Sequence, residues 1–527
     1  MAETLQLPLT SLFPTLPLLL LLLLLILLNL KKNHQKSSLK LPPGPRSLPI
    51  IGNLHQLGTM PHLSLQRLSK LHGPIIHLTL GEIPTIIVSS ARLAREVLRT
   101  HDLPLSSRPQ IYSAFQLFYG CTDIVFSPYG PYWRQIRKLS IVELLSAKRV
   151  ESYSIFRSAE VERLVQRIES RSGSVLNLTK ALGLYANGVL CRAAFGKDFL
   201  EGGEYERHGF QRMLEEYQVL LGGFSLGDFF PSLEWINSVN GMKRRLKHTF
   251  KRFDALFDEI IRDHLKRREQ MIRGSSNDDD DDDDEQDDKE KMNAKDLVDV
   301  LLDVQNGTGL EMPLTMDNIK AVILDMFAAG TDTTFITLDW GMTELIMNPR
   351  VMKKAQEEVR SRVGNRKFVL ESDLPHLPYL KAVIKEIFRL HPPAPLLVPR
   401  ESMEQVTIEG YQIPAKTRVF INAWAIGRDI ESWENPEVFE PERFMNSSVD
   451  FKGQDFELIP FGAGRRGCPA ITFGAVTIEI ALAQLLHGFD WELPPGIAVE
   501  DLDMKEVFGI TMHRIQELVV VAKPHFM

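Results

Sequence analysis

The chain has 527 residues, 44% of them hydrophobic, and a formal net charge of −7. That length and apolar content permit a large buried core. The run "DDDDDDDEQDD" (278–288) carries ten carboxylates, so the remainder is near neutral and offers no electrostatic argument for binding nucleic acid.

Three cysteines, Cys121, Cys191 and Cys468, are too few and too scattered for a disulfide framework. No CxxC pair suggests a zinc site, and a reducing, cytosolic setting fits best.

Residues 4–30 carry no charge, and 18–28 are unbroken Leu and Ile. A helix over 12–30 would span about 28 Å, close to a ~30 Å hydrocarbon core. The segment before it has no positive charge, and no small-residue cleavage site follows it, so an uncleaved anchor over residues 1–32 is expected rather than a signal peptide. Lys31 and Lys32 behind the span favour a body on the cytoplasmic side. The sequons at Asn177, Asn306 and Asn446 should then stay unglycosylated.

Residues 33–48 run into Pro42, Pro43, Gly44 and Pro45. Successive X-Pro steps predict an extended, stiff hinge. Beyond it, residues 49–527 read as one body. "ARLAREVLRTHD", "YWRQIRKLSIVELL" and "DALFDEIIRDHLKRREQM" have helical apolar spacing. "IIHLTLGEIPTIIVSS" and "RVFINAWAIGRD" read as short β pieces. The acidic run cannot bury itself and predicts a surface loop over about 274–292.

A long apolar helix is predicted from about Met316 to Asn348, stopped by Pro349. Its middle holds Ala329, Gly330, Thr331, Asp332, Thr333 and Thr334. A Thr333 hydroxyl bonded to the Ala329 carbonyl would loosen the turn and admit water, giving an acid, an alcohol and water in a proton relay. The alternative is a helix with one polar face and a tolerated glycine.

Further on, Glu386 and Arg389 share a helix face, and Arg443 of "PERF" offers a second cation; a surface pair is the plainer reading. Last comes "IPFGAGRRGCPAITFG" (459–474), where Cys468 stands among glycines and two arginines. One thiolate cannot hold a bare metal, but heme brings four nitrogens and needs a single axial ligand. The alternative is a glycine-rich surface loop with a free cysteine.

Phe461-x-x-Gly464-x-Arg466-x-Cys468 resembles the heme-binding signature of the cytochrome P450 superfamily. The proline-rich hinge, "WRQIR", "AGTDTT", "KEIFR", "PERF" and the cysteine loop follow in that family's order, and two phrases, "LPPGPRSLPIIGNL" and "PFGAGRRGCP", are similar to plant microsomal enzymes of the A-type group.

The resemblance implies a mainly α fold with small β-sheets, heme b as cofactor and an NADPH-dependent monooxygenase fed by a separate reductase, anchored in the endoplasmic reticulum. It implies Cys468 as axial thiolate, whose electron donation favours O–O cleavage. Phe461 would pack beside the sulfur, and Trp133, Arg137, Arg400 and Arg466 would hold the propionates. Asp332 and Thr333 would deliver protons, and Glu386, Arg389 and Arg443 would form a buried structural triad. The family usually has glycine where this chain has Ala470.

The implied substrate pocket draws on 111–126, 213–221, 322–329, 394–398 and Gly509–Ile510. Its apolar residues suit a lipophilic terpenoid, alkaloid or phenolic. Relatives that isomerise or dehydrate hydroperoxides generally lack the acid–alcohol pair, which argues against that alternative here.

Overall fold

A helix that is apolar on every side must be surrounded by protein, and two such helices organise this chain. The computed structural model describes residues 39–196, 210–222, 225–274, 295–307 and 311–525. The expected anchor (1–32), the start of the hinge and the whole acidic run (278–288) lie outside them. The central helix, Met316–Met347, begins at a capping box in which Thr315 and Asn318 bond each other's backbone. It ends before Pro349, where the next helix starts. The cysteine helix, Ile471–Gly488, packs across it, as does Leu178–Phe195. Among the described residues the first two are long and apolar enough to cross a membrane, yet both are mostly buried inside the body.

The other helices take one-sided positions, as amphipathic helices do. Pro131–Leu139 buries Trp133 and Ile136, then finishes in a π-turn over Ser140–Leu144. The 91–102 pattern is likewise a short helix, Ala91–Arg95, followed by a π-turn, Glu96–Thr100.

The main sheet has four strands in the spatial order Ile75–Leu80, Ile83–Val88, Arg418–Ile421, Arg400–Glu401. The middle pair is parallel and the outer pairs are antiparallel. The expected β piece at 418–429 is only half strand. Asn422 ends it by accepting the Ala425 N–H at 3.0 Å, and Ala423–Ile426 turns helical.

The described end of the hinge runs without helix and lies along this sheet. Pro43 accepts the His77 N–H at 2.9 Å, and a Cβ on Gly44 would stand 2.1 Å from the His77 carbonyl oxygen, so only glycine permits the approach.

Candidate active site

The cysteine loop is shaped by local backbone chemistry. Gly462 and Gly464 adopt φ of +65° and +70°. At Gly464 a Cβ would lie 2.3 Å from the Leu98 carbonyl oxygen. Gly467, by contrast, has φ −57°, which any residue adopts. The chain then turns so that the Cys468 N–H meets the Phe461 carbonyl at 2.9 Å.

The sulfur receives one backbone N–H, from Ala470 at 3.4 Å. Burial pushes the Cys468 thiol up, while the Ala470 N–H and the Arg137 charge pull it down. Ala470 itself has φ −102°, so the usual glycine is not needed for backbone reasons. Phe461 stacks edge-on against Phe388, with ring centres 5.1 Å apart.

Four guanidinium groups line the cavity around this loop: Arg108, Arg137, Arg400 and Arg466. Arg466 donates to the Ser106, Ile124 and Ser127 carbonyls and lies 3.9 Å over the Trp133 ring. Arg137 donates to the Gly467 carbonyl. Arg400 reaches Asp102 at 2.7 Å and the Ala463 carbonyl at 2.9 Å.

Arg108 had no sequence signal beyond a lone arginine in "SSRPQ". It is buried and, among the described residues, hydrogen-bonds only to the carbonyls of Val125, Val398 and Pro399. Burial, then Arg466 and Arg400, lower it well below the usual guanidinium range. Burial and Arg400 push Arg466 down to about 9. Among the described residues Arg108, Arg137 and Arg466 hydrogen-bond only to carbonyls, so this rim is charged in excess and suits an anion carrying more than one negative group. Trp133 spends its ring N–H on the Ile124 carbonyl at 3.0 Å.

The opposite wall is the central helix. Gly330 lets it approach Leu190, whose methyls would stand 3.1 Å from a Cβ there. Thr333 faces the cavity and donates to the Ala329 carbonyl at 2.7 Å, yet the helix stays α-helical through this turn. The loosened turn expected from the sequence is absent because the hydroxyl shares that carbonyl without displacing its helical partner.

Asp332 does not line the cavity. Thr511 donates to its Oδ2, and His513 Nε2 lies 3.3 Å from its Oδ1, both from the C-terminal hairpin.

The cavity between these walls holds about 270 Å³. Beside Cys468, Thr333 and the arginines it is lined by Ile124, Val125, Met326, Ala394, Leu397 and Val398. Residues 213–221 and Gly509–Ile510 do not line it. The helix Phe210–Gly222 ends against Ile510, where a Cβ on Gly222 would stand 2.4 Å from the Ile510 nitrogen. The helix that carries one expected pocket segment therefore ends packed on the other.

Below the cavity Glu386, Arg389 and Arg443 meet in a buried cluster. Arg389 grips Glu386 through two bonds of 2.7 and 2.8 Å, and Arg443 Nε adds a third at 3.1 Å.

The family model for cytochrome P450 matches residues 42–519. The chain belongs to the cytochrome P450 family. It is 68% identical over 496 residues to cytochrome P450 71AP13 of Prunus mume, covering 94% of this chain and 93% of that protein. It is 47% identical to strychnine-11-hydroxylase of Strychnos nux-vomica, over 94% of each chain. A zebra fish cytochrome P450 solved with abiraterone superposes with a TM-score of 0.72 at 26% identity, over 89% of this chain and 100% of that one.

This cytochrome P450 groups with plant A-type members and is a monooxygenase. The family's cofactor is heme, with electrons from NADPH through a reductase. The residues present suit that group: one thiol on one wall, an arginine rim with excess positive charge for two propionates, and apolar surroundings for the ring.

Proposed function

We propose that this cytochrome P450 uses NADPH and O2 to hydroxylate a lipophilic small molecule of plant specialised metabolism, such as a terpenoid, alkaloid or phenolic. One observation carries the reading: Cys468 and Thr333 stand on facing walls of one largely apolar cavity with a cationic rim.

Cys468 would be the axial ligand of heme iron, with Phe461 packed beside the loop. Arg466, Arg137, Arg400 and the newly found Arg108 would hold the propionates. Trp133 would act through its ring under Arg466, since its N–H is already used. Bound heme supplies the oxygen-activating redox chemistry. Thr333 Oγ1, at the cavity wall, and the Asp332 carboxyl, off it, would hold and pass protons. Glu386, Arg389 and Arg443 would be structural. The apolar lining would hold a lipophilic substrate and exclude water.

Residues 1–32 would anchor the chain in the endoplasmic reticulum membrane, and a separate NADPH reductase would dock near Arg465 on the cysteine face. Arg465 is half exposed and already holds Asp102 at 2.9 Å.

The test is reconstitution with a plant NADPH reductase and a panel of terpenoids, alkaloids and phenolics. A product heavier by one oxygen atom, dependent on both NADPH and O2, is expected. Turnover of a hydroperoxide without NADPH would favour an isomerase or dehydratase instead.

A further inference from the structure

Oxygen activation consumes protons, so the groups that carry them from water to the cavity wall matter to the reaction. Thr333 lines the cavity, whereas its neighbour Asp332 on the same helical turn does not. Outside Asp332 lies the C-terminal hairpin of Glu506–Val507 and His513–Arg514. Thr511 donates to Asp332 Oδ2 and also lies 3.2 Å from Gln218 Oε1. His513 Nε2 stands 3.3 Å from Asp332 Oδ1.

Exposure grades outward along this line. The Asp332 side chain is 14% exposed and that of His513 33%. His513 also lines a second, smaller cavity of about 50 Å³ with Phe335, Asp339, Arg514 and Glu517. The outward order is therefore Thr333, Asp332, His513, small cavity.

We propose that His513 supplies the protons that Asp332 passes toward Thr333, the small outer cavity being their source. The proposal rests on the relay reading of Asp332 and Thr333 given above. The proton leaves His513 Nε2 and forms the O–H bond at Asp332 Oδ1. The imidazolium becomes neutral imidazole and the carboxylate becomes the neutral acid. Asp332 gives the proton up toward the cavity beside Thr333, and His513 regains one from water at its exposed edge.

The charges around the pair keep His513 protonated, so that a proton is on hand beside Asp332. Burial lowers His513, but Asp332 and then Asp339 raise it more, so its net shift is upward from the ordinary histidine value. Asp339 is held by Thr179 and, at 3.8 Å, by Arg514. From the helix Phe210–Gly222, Tyr217 faces Asp332 and is itself driven up by burial, so it stays neutral. Glu517 is taken by Asn177 at 2.7 Å, and Glu506 by His62 at 3.2 Å. Asp332 is thus the carboxylate in direct contact with the ring among the described residues.

Three variants test this: His513→Gln, which keeps a donor but cannot titrate, Thr333→Ala and Asp332→Asn. First, the His513 imidazole signal is followed by NMR in the isotope-labelled protein. Its titration midpoint should lie above the ordinary value and fall in Asp332→Asn. An unchanged midpoint would overturn the pairing.

Second, peroxide released per NADPH oxidised is measured against pH with a reductase and no added substrate. The wild type should show rising peroxide as pH passes the His513 midpoint, whereas His513→Gln should release more peroxide than the wild type below that midpoint, match it above, and lose the inflection. A wild-type profile in His513→Gln, with a lowered melting temperature only, would overturn the proposal and leave the pair as a pin for the hairpin. If Thr333→Ala alone raises peroxide, the relay stands and His513 falls. If neither variant raises it, the relay reading falls as well.

The stability effect has a fixed sign. The ion pair stabilises the fold below the unfolded histidine value and fades as pH rises through the higher folded one, so the melting deficit of His513→Gln should shrink above that pH.

Discussion

Replacing Arg389 with Met removes a buried cation while keeping most of the side-chain volume. The Glu386 and Arg389 side chains are both 0% exposed. Arg389 donates twice to Glu386 and also to the carbonyls of Gly427 and Pro436, each at 2.6 Å, and of Val438 at 3.0 Å. Breaking a buried pair costs about 3–5 kcal/mol, because the other charge is left without its partner. The Gly427 and Pro436 carbonyls, left without this donor, push the same way at about 1 kcal/mol or more each, though not additively, while the Val438 carbonyl keeps Arg443 at 3.3 Å.

Two groups soften the loss. Arg443 and the Glu440 N–H, at 3.1 and 2.7 Å, still cover one Glu386 oxygen. We expect about 4 kcal/mol, a large share of the ~5–15 kcal/mol that holds most domains.

The control is Glu442→Gln. Glu442 also holds two cations, Arg350 at 2.7 Å and Lys354 at 3.1 Å, but the Arg350 side chain is 67% exposed. Solvent screening holds that loss below about 1 kcal/mol. Resistance to a brief protease pulse across a urea series reads both variants. The Arg389→Met midpoint should fall by about 1 M or more and that of Glu442→Gln by much less. Equal shifts would refute the claim that burial, rather than ion-pair count, sets the cost.

Three further outcomes follow from the site. Thr333→Ala should keep NADPH oxidation while product per NADPH falls by about 10²-fold and peroxide appears, measured with any substrate found in the panel. Arg108→Leu should speed heme loss to apomyoglobin by about 10-fold or more, since a hydrogen bond to a charged group is worth about 1.5–3 kcal/mol; loss at the wild-type rate would remove Arg108 from the rim. Ala470→Gly should leave the heme spectrum unchanged and cost about 0.5–1 kcal/mol of stability, because the φ of −102° is open to alanine and glycine adds unfolded-state freedom. A more stable Ala470→Gly would contradict that backbone argument.

The parts of this protein that were legible in its sequence are those set by local chemistry. The central helix was expected to reach Asn348 and ends at Met347, since Thr315 and Pro349 mark its ends within the chain itself. The cysteine loop announced itself through glycine spacing, although only two of its three glycines need positive φ. At 418–429 an apolar run fits strand or helix equally well, and a single Asn422 side chain decides where one becomes the other.

Long-range partners were not legible. Helical spacing puts Asp332 and Thr333 on different sides of the turn, but nothing near them in sequence indicates that Thr511 and His513 take up the acid. Arg108 lacks any pattern of its own and becomes part of the rim only when the fold brings three other arginines around the same cavity. The close approach of Gly222, at the end of its helix, to Gly509–Ile510 is a packing outcome of the same kind.

The central claim is that Cys468 is the thiolate ligand of heme. The most direct measurement is the carbon monoxide difference spectrum of the reduced protein, wild type beside Cys468→Ala. The account predicts a strongly red-shifted thiolate-type Soret band in the wild type and its loss in the variant. A heme spectrum without that shift in the wild type, or the same shifted band in Cys468→Ala, would contradict it.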